Sequence, residues 1–142
     1  MHIFIDHNLP QIYAKTLDIY LAEESENLDR AVALRDMFVT EISDIDWMQN
    51  LSERKSTHNE NWCFITHDFK LRRTKEERKI WLHSGLVGIF LKQSFLNQDM
   101  SLQLSKLFRV LPEIKNHVDQ RSKFKSFEIS AQANRLKIIK TN

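Results

Sequence analysis

Acidic side chains follow short apolar runs at two separate places in the sequence. Asp6 comes directly after Ile3–Ile5, and Asp68 follows Trp62–Ile65 with two residues between them. We expect both runs to be buried strands of an α/β sheet. Ligands of such sheets bind outside the carboxyl ends of the strands, so the carboxylates of Asp6 and Asp68 should lie side by side. Asp44, predicted at the start of a helix, should join them.

Three neighbouring carboxylates indicate a metal site. Like charges at close range oppose ionisation, and a divalent cation offsets that cost. Ligand sets made only of oxygen favour Mg²⁺ or Mn²⁺ over Zn²⁺. Such an ion supports phosphodiester hydrolysis, because it activates a water and stabilises the leaving oxygen. The alternative, in which each acid is only a helix cap or a solvated strand end, stays open.

A dense group of basic residues follows Asp68. Its members are Lys70, Arg72, Arg73, Lys75, Arg78 and Lys79. Cations beside a metal site suit the phosphates of RNA. The residues that we assign to RNA binding are Lys70, Arg72, Arg73 and Arg78. Two alternatives remain, namely a solvated helix face paired with nearby glutamates, or a surface that binds a partner protein.

The composition limits the classes of protein that fit. The chain of 142 residues has the size of one domain, with 42% hydrophobic and 28% charged residues. A single cysteine excludes an internal disulfide and a cysteine-rich zinc site, and two glycines are too few for a Gly-rich nucleotide-binding loop. No apolar run reaches the ~18 residues of a membrane span, and Asp6 interrupts the first run too early for a signal peptide. We therefore expect a cytoplasmic protein.

Charge is divided unevenly along the chain. Residues 1–60 contain five basic and twelve acidic residues, a net charge of −7, whereas residues 61–142 contain sixteen basic and seven acidic residues, a net charge of +9. This division favours an acidic metal site beside a basic phosphate-binding surface. Chance segregation of solvated charge is the alternative.

Strand and helix patterns alternate along the sequence. The predicted strands are His2–Ile5, Ala31–Leu34, Trp62–Ile65, Leu86–Leu91 and Phe124–Ile129. The predicted helices cover residues 10–23, the stretch from Ser43 or Asp44 to Leu51, residues 74–83 and residues 100–118, and Ser52–Asn61 is predicted as a polar loop. This alternation predicts an α/β three-layer sandwich with a mostly parallel central sheet, folded as one domain over residues 1–142. Residues 131–142 are a candidate flexible tail.

Several segments, in this order, resemble PIN-like domains. Ile3–Pro10 is similar to their opening, a strand followed by Asp, any residue, Asn, Leu and Pro. Ser43–Met48 resembles their second segment, with an Asp at the start of a helix, and Phe64–Asp68 resembles their third, a strand followed by Thr-x-Asp. Glu77 and the apolar strand after Gly85 resemble the segment that comes next. The resemblance covers most of residues 1–95.

The resemblance implies a PIN-like fold and a metal-dependent endoribonuclease, often the toxin of a toxin–antitoxin pair. The expected cofactor is Mg²⁺ or Mn²⁺, and the expected partners are RNA, an antitoxin protein and a second copy in a homodimer, without a membrane. Asp6, Asp44 and Asp68 match the catalytic, metal-binding acids of the family. Asn8 matches the polar residue beside the first acid, and Thr66 matches the hydroxyl that orients the last one.

A fourth acid is typical of active members of the family. The sequence leaves three candidates for it, which are Glu41, Asp46 and Glu77. A non-catalytic PIN-like module that binds RNA or protein is therefore the second interpretation. A phospho-acceptor receiver domain also places acids at strand ends, but it needs adjacent acids after the first strand, where this chain has Asp6-His7.

Overall fold

A mostly parallel sheet forms the centre of the protein. The computed structural model describes residues 1–120 and 123–139. Within these residues the strands are β1 (His2–Ile5), β2 (Arg30–Ala33), β3 (Trp62–Thr66), β4 (Val87–Leu91), β5 (Ser126–Ile129) and β6 (Lys137–Ile138). Their order across the sheet is β2-β1-β3-β4-β5-β6, and β6 pairs antiparallel with β5. The predicted α/β class with a mostly parallel sheet is confirmed.

Helices cover both faces of the sheet. They are α1 (Gln11–Ser25), α2 (Leu34–Met37), α3 (Asp44–His58), α4 (Lys70–Arg73), α5 (Lys75–Ser84), α6 (Gln93–Leu96) and α7 (Met100–Asp119). Buried residues of α1 and α7 pack on one face, and those of α3 and α5 pack on the other. This three-layer arrangement explains why β4 is apolar at every position, since both of its faces are covered.

The face under α1 and α7 is mainly aliphatic. Successive side chains of a strand point to opposite faces, so Ile3 and Ile5 of β1 lie here and Phe4 does not. Ile65 and Ile89 continue the layer on β3 and β4, and both are fully buried. Branched side chains of this kind fill the space between a sheet and its helices without specific ring contacts.

The face under α3 and α5 is mainly aromatic. Phe4, Phe64 and Phe90 lie on it from three adjacent strands, and they pack against Trp47 of α3 and Trp81 of α5. The ring centroid of Phe64 is 5.3 Å from that of Trp47, 5.8 Å from that of Trp81 and 5.9 Å from that of Phe90. All three contacts are edge-to-face, and each such pair stabilises by about 0.5–1.5 kcal/mol beyond its burial.

The two glycines have structural roles on or near this aromatic face. Gly88 lies on β4, where an added Cβ would sit 2.7 Å from Cζ of Phe64 and 2.9 Å from Cζ2 of Trp81. The two rings therefore occupy the space that any other residue would need. Gly85 ends α5 in the left-handed region with φ 75°, which a residue without Cβ adopts at little cost.

Helix α3 is longer than predicted. The expectation of a polar loop over Ser52–Asn61 is wrong, because the helix continues to His58 and β3 begins at Trp62. The second half of α3 is nearly all polar, so it shows no apolar stripe in the sequence. The helix continues with polar residues and is capped at its C-terminus by Asn59, whose φ is 53°.

Residues other than glycine hold left-handed conformations at two helix ends. Glu26 and Asn27 follow α1 with φ values of 53° and 68°, and Asn59 follows α3 with φ 53°. Asparagine adopts this region more readily than most residues. Glutamate, like other residues with a Cβ, adopts it at an energetic cost. These connections therefore carry local backbone strain.

The last described residues join the sheet. Residues 131–139, which belong to the predicted tail 131–142, include β6, and residues 140–142 lie outside the described part of the chain. Among the described residues, no helix has both the length and the apolar character needed to cross a membrane.

Candidate functional site

A threonine hydroxyl joins the two acids that follow β1 and β3. The Oγ1 hydroxyl of Thr66 donates to Oδ2 of Asp6 at 2.7 Å and accepts from the backbone N–H of Asp68 at 2.9 Å. Asp6 is 5% exposed, and its Oδ1 accepts from the backbone N–H of His7 at 2.8 Å. The expected neighbouring positions of Asp6 and Asp68 follow from the register, since Ile5 pairs with Ile65.

Asp44 lies close to both of these acids. Ser43 caps α3, its side chain accepting from the N–H of Asp46, and this cap places Asp44 in the first turn. Burial raises the pKa of Asp44 above its usual value, and the negative charges of Asp6 and Asp68 raise it further. The Nε1–H of Trp47 donates to Oδ1 of Asp44 at 2.9 Å and opposes that rise.

Among the three candidates for a fourth acid, Glu77 is the one on which the charges of Asp44 and Asp68 act. Burial raises the pKa of Glu77, and the charges of Asp44 and Asp68 add to the effect. Its Oε2 atom is buried without a hydrogen-bond partner. Glu77 reaches the other acids from the first turn of α5, which starts soon after Asp68.

The other two candidates for the fourth acid lie in the solvent. Glu41 and Asp46 are both exposed, and neither is among the charges that act on Asp44. Asn8 is also exposed. His7 approaches the site, its Nδ1 lying 3.2 Å from Oδ1 of Asp6.

Trp47 is a site residue that the sequence analysis missed. Its indole fixes the Asp44 carboxylate while its ring belongs to the aromatic face. The spacing i, i+3 on a helix is the signal that could have found the pair, because residues three apart lie on one helix face.

Arg72 has a different environment from the other basic residues after Asp68. Its side chain is 17% exposed, and Nη2 donates to Oε1 of Glu128 on β5 at 2.8 Å. The guanidinium carbon lies 4.8 Å from the ring centroid of Phe69 and 4.7 Å from that of Phe90. Arg72 is therefore held in place by an ion pair and two rings, which the sequence did not indicate.

The remaining cations assigned to RNA binding are more accessible. Lys70 and Arg73 are exposed, and Arg78 is partly exposed. Lys70 donates its backbone N–H to Oδ1 of Asp68 at 2.9 Å, so α4 begins directly beside the acids. The assignment of these cations to RNA stays a prediction.

The acids are neighbours, but they do not converge on one point. In residues 1–120 and 123–139, no three His, Cys, Asp or Glu side chains are already arranged to hold a metal ion. The assignment of Asp6, Asp44 and Asp68 as metal ligands and catalytic residues stays a prediction, as does the orienting role of Asn8 and Thr66.

One comparison with known proteins identifies a family. The model of the family described as "PIN like domain" matches residues 1–93, which include β1 to β4 and the four acids. The searches of curated proteins and of solved structures found no significant match. The matched region is about two thirds of the chain and contains every segment that carries the resemblance, so the chain belongs to the PIN-like domain family.

Proposed function

We propose that this protein is a metal-dependent nuclease that hydrolyses RNA phosphodiester bonds. The observation that carries the proposal is the linked set Asp6–Thr66–Asp68, with Asp44 and Glu77 close enough to act on each other's charge. Burial and the charges of neighbouring acids raise the pKa values of Asp44 and Glu77, and carboxylates perturbed in this way cluster at functional sites.

The donor set fits a hard divalent cation. All of the side-chain donors are carboxylate oxygens, which suit Mg²⁺ or Mn²⁺. Oε2 of Glu77 is a buried acceptor without a hydrogen-bond partner, and burial together with the charges of neighbouring acids raises the pKa values of Asp44 and Glu77. Asp6 and Asp68 would hold the ion, with Asp44 and Glu77 completing the set directly or through water.

The chain's own residues supply orientation. When bound, the ion would lower the pKa of an attacking water and stabilise the leaving oxygen. The Thr66 hydroxyl fixes one oxygen of Asp6 and the backbone that carries Asp68, so these two carboxylates keep a constant relative position. The N–H of His7 fixes the other oxygen of Asp6, and Trp47 fixes Asp44. Removing such supporting hydrogen bonds costs metal sites about 10–100-fold in affinity or activity.

The charge around the acids is the reason for proposing RNA as the substrate. Lys70, Arg73 and Arg78 extend a positive surface from the acids along α4 and α5. Contacts of this kind bind phosphates without regard to sequence. A role as the toxin of a toxin–antitoxin pair in the cytoplasm, with an antitoxin as partner and a homodimer as assembly, completes the proposal and is tested by co-expression with the protein of the neighbouring gene.

The test of the nuclease proposal combines cleavage with metal binding. Purified protein should cleave single-stranded RNA with Mg²⁺ or Mn²⁺, and Mn²⁺ should raise its melting temperature by mass action. Asp68→Asn should lose both effects and stay folded. Thr66→Val should lower cleavage by about 10–100-fold, while Thr66→Ser, which keeps the hydroxyl, should retain most of it.

Matched controls separate the site from a general loss of charge. Asp99→Asn removes an exposed acid at the start of α7, far along the chain from the site, and should leave cleavage unchanged. Cleavage that survives Asp68→Asn would place the chemistry elsewhere. Wild-type protein that binds RNA but does not cleave it would favour the non-catalytic module.

A further inference from the structure

A polar cavity lies at the same edge of the sheet as the acids. It has a volume of about 140 Å³ and is lined by Lys92, Ser94, Glu128, Ser130, Gln132 and Lys137. Lys92 follows β4, Glu128 is on β5 and Lys137 is on β6. None of these residues belongs to the segments that resemble the family's acidic motifs.

The register of the sheet relates this cavity to the acids. Thr66 pairs with Phe90, Phe90 pairs with Glu128, and Glu128 pairs with Lys137, so the four residues form one row across the sheet. Paired residues share a face, and adjacent strands are about 4.8 Å apart. Glu128 therefore lies about 10 Å from Thr66 along the row, with Phe90 between them.

Ion pairs fix the wall of the cavity on the side of the acids. Oε1 of Glu128 receives a hydrogen bond from Arg72 at 2.8 Å, and Oε2 lies 3.8 Å from Nζ of Lys92. The side chain of Glu128 is 9% exposed, whereas that of Lys92 is 49% exposed. Arg72 is committed to Glu128 and to the rings of Phe69 and Phe90, so the lysine is the accessible cation.

A buried lysine fixes the opposite rim. Lys106 of α7 is 7% exposed, and its Nζ donates to the carbonyl oxygens of Ser130 and Ala131 at 2.8 Å each. The N–H of Ala131 donates to Oγ of Ser94 at 3.2 Å. These bonds hold the segment after β5 in a defined position, and the cavity is therefore a built feature rather than a gap between mobile side chains.

The charge of the cavity suits an anion. Two lysines, Lys92 and Lys137, and a single carboxylate, Glu128, line it. Arg72 pairs with Glu128 from outside the lining, so the two lysines leave an excess of positive charge. The hydroxyl of Ser130 accepts from the N–H of Ala133 at 3.3 Å and adds a hydrogen-bond donor to the same space. The hydroxyl of Ser94 already donates to Oε1 of Gln132 at 3.3 Å. Lysine ammonium groups with hydroxyls are a common set for one phosphate group.

We propose that this cavity binds an internal phosphate of the RNA strand whose cleavage takes place at the acids, with Lys92 and Lys137 as the phosphate contacts. The inference rests on the proposed function and adds the path of the substrate, from Asp68 across Phe90 toward β5. A separation of about 10 Å corresponds to about three nucleotides at the ~3.4 Å rise of a stacked strand, and to fewer in an extended single strand. The bound phosphate therefore lies within about three nucleotides of the cleaved bond. Arg72 and Glu128 are positioning residues, because they hold Lys92 and do not touch the phosphate.

The first measurement is the salt dependence of RNA binding. Binding of a single-stranded RNA is measured in EDTA, so that no cleavage occurs, for wild type and for the double variant Lys92→Ala/Lys137→Ala. Loss of one phosphate contact should reduce the slope of log K against log salt by about 0.7. Lys92→Arg/Lys137→Arg should keep the wild-type slope. Lys15→Ala, which removes one positive charge from an exposed lysine of α1 outside the cavity, should keep it as well.

The second measurement locates the phosphate. Single neutral methylphosphonate linkages are placed at successive positions from the cleaved bond, together with a pair of RNAs that differ only in a 5′-terminal phosphate. One internal linkage within about three nucleotides should weaken binding to wild type and leave the double alanine variant unaffected. Sensitivity only to the terminal phosphate, or an identical profile in both proteins, would overturn the proposal.

The two proposals fail in different ways. If wild type cleaves RNA and the double alanine variant keeps its salt slope and its KM, the phosphate site is wrong and the nuclease stands. If wild type neither binds nor cleaves RNA, both are wrong. A lower kcat with unchanged KM and slope would also contradict a phosphate contact, since that contact acts on binding.

Discussion

The two faces of the central sheet are built from different side chains. Ile65 and Ile89 represent the aliphatic face under α1 and α7, and Phe64 and Phe90 represent the aromatic face under α3 and α5. Both faces are equally well buried. The difference is that the aromatic face makes directional contacts with polar groups of the candidate site, whereas the directional contacts of the aliphatic face, such as Tyr13 with Phe95 and Gln103, lie within its own layer.

Two links connect the aromatic face to charged groups. Trp47 donates from its indole to Asp44, and the ring of Phe90 supports Arg72, which pairs with Glu128. A ring fixed by edge-to-face contacts has few alternative orientations, so a group bonded to it is also fixed. In this protein, therefore, the contacts that pack the aromatic face also orient the side chains of the candidate site.

The largest expected effect comes from truncating the centre of each face. Phe64→Ala should destabilise by about 3–5 kcal/mol and Ile65→Ala by about 2–5 kcal/mol, as for buried side chains of these types. At a temperature where both variants are folded, only Phe64→Ala should also lower cleavage, because Trp47 loses a ring contact. Denaturant unfolding and cleavage assays measure the two effects, and equal loss of cleavage in both variants would contradict the comparison.

A smaller effect should follow from adding one carbon atom at Gly88. The new Cβ of Gly88→Ala would meet Phe64 and Trp81 at distances under 3 Å, so the two rings must move. Overpacking of this kind costs typically 1–3 kcal/mol, and we expect about 2–3 kcal/mol because both neighbours are fully buried. Thermal unfolding measures the change. A variant as stable as wild type would show that the aromatic face is looser than its contacts suggest.

Trp47→Phe should separate orientation from packing. It keeps an aromatic ring but removes the Nε1–H bond to Asp44, at a cost of about 1.5 kcal/mol for a hydrogen bond to a charged group. That bond lowers the pKa of Asp44, so its loss raises the pKa further. A larger fraction of Asp44 is then protonated at a given acidic pH, and the acidic limb of the cleavage profile should move to higher pH. An unmoved limb in Trp47→Phe would mean that Asp44 does not take part in the reaction.

The smallest effect is an increase in stability. Burial and the charges of Asp44 and Asp68 raise the pKa of Glu77, so the folded protein binds a proton at Glu77 more tightly than the unfolded chain. Ionised Glu77 therefore destabilises the fold near neutral pH, and this penalty disappears as the pH falls through the raised pKa. Glu77→Gln should raise the melting temperature at pH 7 by on the order of a few degrees, and by less at acidic pH.

The control for this prediction is the neighbouring Glu76, which is exposed. Glu76→Gln should change the melting temperature little at any pH, since an exposed charge is screened. A lower melting temperature for Glu77→Gln at pH 7 would indicate that the carboxylate of Glu77 is compensated by groups other than a metal.

Much of the fold could be predicted from short-range patterns. The strand β1 and the acid Asp6 follow from an apolar run that ends in a charge, and the start of α3 follows from Ser43 as a cap. The second half of α3 could not be predicted, because a polar helix on the surface has no apolar periodicity and differs little from a loop in composition.

Only those parts of the candidate site that depend on local sequence patterns could be predicted. Asp6, Asp44 and Asp68 were expected together, because each follows a strand or begins a helix at one edge of the sheet. The pair Arg72–Glu128 is 56 residues apart in sequence, and no local pattern relates the two. Glu77 could be chosen over Glu41 and Asp46 only after folding, since burial and proximity decide which acid is affected by the others.

The left-handed residues at the helix ends leave room for stabilisation by design. Glu26 occupies a conformation that costs a residue with a Cβ roughly 1–2 kcal/mol and glycine little. Its position between α1 and β2 is away from the acids and from the polar cavity beside β5. Replacing Glu26 with glycine should therefore stabilise the protein, and laboratory evolution could use the added stability to tolerate destabilising changes at the edge of the sheet that carries the acids.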